Sequence, residues 1–360
     1  MKEPVAIAVS GGVDSLVSAF LLKQQGFPLF GIHFLTGFEK TGPLPEDSIQ
    51  NTGQDSKAQG NALQALGDQL GIPVKSLDIR EEFKARVVDY FISEYAKGRT
   101  PNPCMVCNPE IKFGTLLNVA RSAGANRLAT GHYAKVTRDE KGRFHLFRGA
   151  DPEKDQSYFL AFLNQARLAS AIFPLGDLTK AHVVEMARKQ GLNPIFSNES
   201  QDICFIQGCS YRDFLFHQPG FSSKPGPIAD LSGKILGSHQ GLHRYTIGQR
   251  RGINLPAPNP YYVLRMIPGE NKLVVGQKQD LLVSRCRVAK INWIMEKPVS
   301  GMELHTRVRY RHEAVPSSVV LTGDDTATVF FREPQAAVTP GQGAVFYSND
   351  EVLGGGWIEG

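Results

Sequence analysis

Apolar and polar positions alternate along the first two hundred residues in a way that sets strand against helix. Val5-Ala6-Ile7-Ala8-Val9 is an unbroken apolar run, as a strand buried on both faces requires. Val13, Leu16, Val17, Phe20 and Leu21 follow at offsets of 3, 4, 7 and 8, one face of a helix. Gly26 is placed to end that helix. A second strand near residues 29–34 completes a βαβ unit, for which a right-handed crossover is expected. Phe83, Val87, Val88, Phe91 and Tyr95 form another helical stripe, as do Phe113, Leu116, Leu117 and Ala120. Lys180 to Gln190 reads as a further helix, with Thr179 to cap its start and Gly191 its end. Strand candidates lie at 74–77 and 127–130. The sum is a doubly wound α/β domain on a parallel sheet.

The pattern changes near residue 209. Residues 217–237 are rich in Pro, Gly and Ser, which suggests a boundary or an exposed loop. After Arg285, short strands are expected at 286–291, 304–310, 318–321, 326–331 and 344–347, separated by turns as in a small β-barrel. The expected domains are therefore 1–208, a small central domain at 209–280 and a C-terminal β-barrel at 281–360.

Composition adds bounds. A chain of 360 residues has room for two or three domains. Its apolar share of 41% and charged share of 21% are those of a globular protein. No apolar run approaches the ~20 residues of a membrane span. The first strand starts almost at Met1 and leaves no room for a signal peptide, so a cytoplasmic location is expected. A net charge of +5 tilts the protein towards polyanions without naming one. The five cysteines, Cys104, Cys107, Cys204, Cys209 and Cys286, are too few and too odd for a disulfide framework. Metal binding, catalysis and inert burial stay open, with burial the ordinary reading for Cys209 and Cys286.

Ser10-Gly11-Gly12-Val13-Asp14-Ser15 joins the first strand to the first helix. The glycines let backbone N–H groups approach a phosphate, the helix start adds positive partial charge, and the hydroxyls of Ser10 and Ser15 can donate. Asp14 would repel phosphate, unless it caps the helix or holds Mg²⁺ against a nucleotide. The string is neither a Walker P-loop, having no lysine, nor a Gly-x-Gly-x-x-Gly turn. A plain strand-to-helix turn is the alternative. The string resembles the signature of PP-loop ATP pyrophosphatases, which implies cleavage of ATP to AMP and pyrophosphate and adenylation of a carbonyl oxygen.

Thr100-Pro101-Asn102-Pro103-Cys104-Met105-Val106-Cys107-Asn108-Pro109 reads as a stiff loop, because the prolines oppose regular structure. Asn108 and Pro109 then read as the start of the helix carrying Phe113. That puts Cys107 just outside a helix N-terminus, where the thiolate is favoured. Cys204 lies about a hundred residues on, in Ser200-Gln201-Asp202-Ile203-Cys204-Phe205-Ile206. Strand ends of one parallel sheet converge, so the two thiols can share an edge and pass sulfur by persulfide exchange. A zinc site would need a second Cys-x-x-Cys pair, and none exists. A thioredoxin-like pair would need other flanks than Pro103 and Asn108.

The phosphate loop together with Thr-Pro-Asn-Pro-x3-Cys-Asn, Thr130-Gly131-His132-Tyr133, Lys154-Asp155-Gln156-Ser157-Tyr158-Phe159-Leu160, the Cys204 segment, Tyr245-Thr246-Ile247-Gly248-Gln249-Arg250 and Arg309-Tyr310-Arg311 resembles the tRNA-specific 2-thiouridylases over nearly the whole chain. The resemblance implies ATP-dependent 2-thiolation of the wobble uridine of tRNA, with a persulfide or sulfide donor protein as a further partner. It implies that Ala8, Val9, Ser10, Gly11, Gly12, Val13, Asp14, Ser15, Phe34 and Gly131 contact ATP. Cys107 would be the nucleophile and Cys204 the persulfide carrier. Asn102, Pro103 and Cys104 would face the target base, and His132, Lys154, Asp155, Gln156, Arg309, Tyr310 and Gln342 would touch the tRNA. In two places the chain departs from the family. Cys104 stands where the family usually has aspartate, which puts an acid–base role in question, and 50–63 lacks the family's acidic pattern. The first departure opens an alternative in which Cys104, Cys107 and Cys204 ligate a [4Fe-4S] cluster. A PP-loop ligase acting on a small metabolite is the rival enzyme class, and a non-catalytic RNA-binding module the third reading.

The pattern around Tyr310 adds to the RNA reading. Arg307, Arg309 and Arg311 alternate with Val308 and Tyr310, which on a strand would put three guanidiniums on one face. A solvated strand face is the alternative. Arg250 and Arg251 add a second basic point in the middle segment.

Overall fold

The computed structural model describes residues 2–38, 54–195, 203–219 and 221–359, and for 54–60 the backbone alone. Two compact units emerge. One comprises Met1–Arg86, Val106–Gln207 and Asp350–Val352; the other comprises Val87–Met105, Gly208–Asn349 and Leu353–Gly360.

The first unit is built on a parallel sheet. Its strands β1 (Val5–Ala8), β2 (Leu29–Leu35), β3 (Val74–Asp78), β4 (Arg127–Ala129) and β7 (Ala171–Ile172) stand in the order β3-β2-β1-β4-β7. Central β1 pairs in parallel with both neighbours, Ile7 facing Gly31 on one side and Ala129 on the other. Val5, Ile7, Leu16, Val17 and Leu22 are buried in one core, so the expected apolar run and helical stripe pack together. Helix Val13–Gln24 ends before Gly26, whose φ of 78° is one that a side chain disfavours. Helix Lys180–Lys189 is capped by Thr179, whose hydroxyl accepts from the His182 amide, a contact worth about 1 kcal/mol.

The patterns left two features of this unit unannounced. A hairpin of β5 (Ala134–Arg138) and β6 (Phe144–Arg148) lies outside the parallel sheet, and β6 pairs with Glu351 and Val352. The expected stiff loop at 100–109 is also partly helix. Pro103–Cys107 is α-helical and runs on into a π-helix, Asn108–Leu116, then into the α-helix Leu117–Ser122. Pro103 costs nothing in a first turn, where its missing N–H has no partner to lose. Pro109 has neither an N–H to give nor space beneath its ring, and the helix widens there instead of breaking. Cys107 is thus inside a continuous helix (φ −60°, ψ −41°), not outside its N-terminus; Cys104 occupies the first turn.

In the second unit, β8 (Gly226–Ala229), β9 (Ile235–His239), β10 (Tyr262–Ile267) and β11 (Lys272–Gly276) form a sheet in the order β10-β11-β8-β9. Strands therefore occupy part of the Pro/Gly/Ser-rich stretch expected to be a boundary or an exposed loop. The last strands are β12 (Val283–Trp293), β13 (Met302–Arg307), β14 (Val315–Leu321), β15 (Ala327–Gln335), β16 (Gly343–Ser348) and β17 (Glu351–Ile358). They run β12-β15-β14-β13-β16-β17, and β17 pairs back onto β12 to close a barrel around Val288, Val319, Val329 and Phe346. Strand β17 carries three successive glycines and had no strand signature. The closure explains the first of them: a Cβ on Gly354 would sit 2.3 Å from the Asn292 carbonyl oxygen.

Candidate functional site

The phosphate loop sits at the C-terminal edge of the parallel sheet, where doubly wound folds place their ligands. Gly11 has φ 79° and Gly12 caps the following helix without a side chain, which leaves the first N–H groups of the helix uncovered by the loop. Ser15 Oγ donates to the Gly12 carbonyl (2.8 Å), and Ser10 Oγ reaches Ser15 Oγ at 3.4 Å. From the next strand end, Gly131 presses against the loop. A Cβ there would lie 3.0 Å from the Asp14 carbonyl carbon, so the close approach needs glycine. Phe34, at the end of β2, is half-buried. Across the loop, the Ile195 amide donates to Gly11 O at 3.0 Å.

Asp14 is neither a cap nor isolated. Lys180 donates to both its carboxylate oxygens, at 2.8 and 2.9 Å, and the Tyr133 hydroxyl donates to one of them at 2.7 Å. Sequence reading missed Lys180 and Tyr133. The loop lacks a lysine of its own, but the first residue of a helix 166 residues on supplies one. The signal was present, since a basic residue in a first helical turn opposes the helix dipole and calls for a reason. Asp151 fixes that turn by accepting from the Lys180 amide at 2.8 Å.

His132 lies beside this edge and is buried. Lys112, from the π-helix after Cys107, contacts His132 Nε2 at 3.2 Å, and Thr130 Oγ1 contacts Nδ1 at 2.7 Å. Lysine only donates, so Nε2 is the acceptor and Nδ1 carries the proton to Thr130. Burial first, and then the Lys112 charge, hold this imidazole well below the ordinary histidine range. Asn108, next to Cys107, is 2% exposed; its amide donates to Phe159 O (3.0 Å), while its buried Oδ1 has no hydrogen-bond partner among the described residues.

Cys107 is partly buried and Cys104 and Cys204 are exposed. Cys204 rides on a turn anchored by buried Phe205, whose ring packs 5.8 Å from Phe38 and 5.9 Å from Phe83. Residues 200–202 of its segment lie outside the described residues, as do 50–53 of the stretch lacking the acidic pattern; residues 54–63 are helical. Cys107 and Cys204 belong to the same compact unit as the phosphate loop; the boundary passes between Met105 and Val106, so Cys104 falls in the other. Of the two cysteines expected to be buried, Cys286 is, and burial pushes its thiol up to about 12; Cys209 is exposed. Among the described residues, no three His, Cys, Asp or Glu side chains are gathered so as to hold a metal ion.

The residues expected to touch RNA differ in what they can offer. Asp155 is 4% exposed and its carboxylate accepts from Gly149 N, Ser157 N and Ser157 Oγ, while Gln156 Oε1 accepts from Tyr133 N. Their side chains brace the turn carrying Lys154, itself half-buried. In the second unit, Gln342 Nε2 donates to Thr100 O (2.9 Å) and Pro101 O (3.2 Å), and Thr100 N donates to Pro340 O. Gln342 thereby holds the segment that leads into Asn102 and Pro103, both buried. The arginine stripe at 307–311 is not a strand face. Strand β13 stops at Arg307, the chain turns at Arg309 to Arg311, and the Arg307 guanidinium donates back to the carbonyls of His312 and Tyr310.

Three family models match successive stretches of the chain. A family model described as "tRNA methyl transferase HUP domain" matches residues 3–208. One described as "tRNA methyl transferase PRC-barrel domain" matches 212–277, and "Aminomethyltransferase beta-barrel domain" matches 283–358. Among curated relatives, the tRNA-specific 2-thiouridylase MnmA of Desulfosudis oleivorans is 50% identical over 98% of this chain and 94% of its own length. Proteins of the same name from Geobacter metallireducens and Carboxydothermus hydrogenoformans are 42% and 43% identical, each over 99% of this chain and 97% and 98% of their own. The domain descriptions speak of methyl transfer, the full-length relatives of thiolation.

Proposed function

The chain belongs to the tRNA-specific 2-thiouridylase family, and from that premise we propose that it exchanges O2 of a tRNA wobble uridine for sulfur at the cost of one ATP. The observation that carries the reading is the conjunction, in one compact unit, of the phosphate loop at the sheet edge with Cys107 and an exposed Cys204. Ala8 to Ser15, Phe34 and Gly131 cradle the nucleotide. Lys180 stabilises charge on the phosphates as pyrophosphate departs. Magnesium commonly takes one or two carboxylates and completes its shell with phosphate oxygens and water. Asp14 fits that role, and the ion would neutralise phosphate charge.

Uridine O2 attacks the α-phosphorus, pyrophosphate leaves, and C2 then carries AMP as a leaving group. The terminal sulfur of a Cys204 persulfide attacks C2 and AMP departs. The Cys107 thiolate attacks the Cys204 sulfur, breaking the S–S bond; 2-thiouridine leaves and a Cys107–Cys204 disulfide remains. A thiol reductant reopens the disulfide, and an external persulfide donor passes its outer sulfur to the Cys204 thiolate, leaving the donor as its thiol. Asn102, Pro103 and Cys104 contact the base. His132, Lys154 to Gln156, Arg309, Tyr310 and Gln342 contact the RNA. This assignment divides the chain into domains at 1–208, 209–280 and 281–360 and places the enzyme in the cytoplasm. Among the described residues no helix is long and apolar enough to cross a membrane.

The test is incubation with ATP, a persulfide donor, a reductant and an unmodified tRNA transcript, followed by mass spectrometry of the nucleosides. Wild type yields 2-thiouridine. Cys107→Ser and Cys204→Ser yield none, yet still release pyrophosphate in the presence of tRNA. A Cys204→Ser protein that thiolates as well as wild type removes the persulfide step.

A further inference from the structure

Strand β12 carries the basic stripe that β13 lacks. Cys286 and Val288 point into the barrel, and Arg285 and Arg287 are exposed. The register sets Arg285 opposite Phe330 of β15 and Arg287 opposite Thr328. Phe330 is 39% exposed, unusual for so large an apolar ring, and Arg332, two residues on and on the same face, is exposed as well. The outer face of the barrel here interleaves guanidiniums with an aromatic ring.

Beside it opens a cavity of about 430 Å³. Arg265 of β10 joins Arg285 and Arg287 in its wall, with Ile247 and Val338 among its apolar lining. Glu359 is the one carboxylate lining it, and it pairs with Arg287 at 3.1 Å. Among the described residues, Arg265, Arg285 and Arg332 form no ion pair. Among the described residues, three guanidiniums thus meet one carboxylate in this wall, an excess of positive charge. Arginine forks match phosphate oxygens, and an exposed ring offers a stacking platform. Two residues along a strand span about 6.7 Å, a step that successive phosphates of one RNA strand can follow. An acidic protein would satisfy the charges but would leave the exposed aromatic platform without a π partner.

We infer that the face formed by Arg265, Arg285, Arg287, Phe330 and Arg332 holds a stretch of tRNA phosphodiester backbone. The inference rests on the reading that this chain acts on tRNA, and adds a place where part of that RNA lies.

Fluorescence anisotropy with a labelled, unmodified tRNA transcript, between about 50 and 200 mM salt, tests it. For the triple variant Arg265→Ala, Arg285→Ala, Arg287→Ala, binding at low salt falls at least about tenfold, and the slope of log affinity against log salt flattens by about two to three, near 0.7–0.9 for each phosphate released. The matching triple lysine variant retains most of the slope. Phe330→Ala weakens binding with the slope intact. An alanine variant with wild-type affinity and slope overturns the inference, and so does a lysine variant that loses as much as the alanine one, since that assigns the loss to local structure. Thiolation is followed in parallel: wild type that binds RNA but makes no 2-thiouridine fails the catalytic reading alone.

Discussion

Lys180 and Asp14 show how one pair of residues can set the terms of nucleotide binding. In the protein as it stands, each neutralises the other, and Tyr133 holds the carboxylate in place. Mg²⁺–ATP brings a cation for Asp14 and an anion for Lys180, so both partners can be exchanged at once. Lys180→Ala is expected to slow pyrophosphate release about a hundredfold, the scale of losing one preorganised donor to a developing charge. Lys180→Arg should restore part of it, and tRNA affinity should hold. A Lys180→Ala enzyme with wild-type pyrophosphate release would remove the lysine from the reaction. The loop itself was legible in sequence because its chemistry is local: glycines, hydroxyls and a helix start within six residues. Lys180 was not, because what makes it relevant is the return of a distant helix to the sheet edge. Cys107 was misplaced for a different reason. Its prolines were weighed as helix breakers, whereas Pro103 opens a helix and Pro109 distorts one.

At the scale of elements, that distortion sets where the residues after Cys107 point. A π-turn changes the angle between a helix's residues and everything downstream. Here it begins directly after Cys107 and carries the Lys112 that reaches His132. Pro109→Ala supplies the missing N–H and removes the ring at the start of the widened turn. Thermal stability should hold or rise. Thiolation should fall about tenfold or more, because a misplacement of about 1 Å is enough for such a loss. Retained activity together with an unchanged melting temperature would show that the widened turn does not position the cysteine. The barrel gives the complementary lesson. Alternation over 304–310 suggested a strand for its whole length, but Arg307 satisfies its guanidinium on carbonyls just downstream and the strand ends there. Alternation identifies a face; it does not say which backbone groups a long polar side chain will take. Strand β17 was unreadable for the opposite reason, since the glycines that permit its approach to β12 are poor strand formers.

Over the whole molecule, the parallel sheet and the barrel were both visible as changes of period, and what escaped was the segment joined across long stretches of sequence. The β5–β6 hairpin is an example. His145 on it contacts Glu351 at 2.6 Å and Asp139 at 3.2 Å. Burial works against its charge, but hydrogen bonds with Glu351 and Asp139 outweigh that, and the imidazole is held above the ordinary value of 6.5. The stability this contributes is complete below the unfolded value and is lost as pH rises through the raised one. His145→Gln should therefore lower the melting temperature most in mildly acidic buffer, and the gap from wild type should narrow as the buffer is made alkaline. A gap that widens with pH would contradict the assignment. The tether from Gln342 to the carbonyls of Thr100 and Pro101 has a further consequence. The neighbouring Gly341 amide donates to Ile358 O, and the Ile358 amide to Gln342 O, so the closing strand and the stretch ahead of Asn102 are strung on one line of hydrogen bonds. Disturbing the stretch around Ile358 is thus not a peripheral change: it slackens the rein by which Gln342 holds residues some 240 positions earlier.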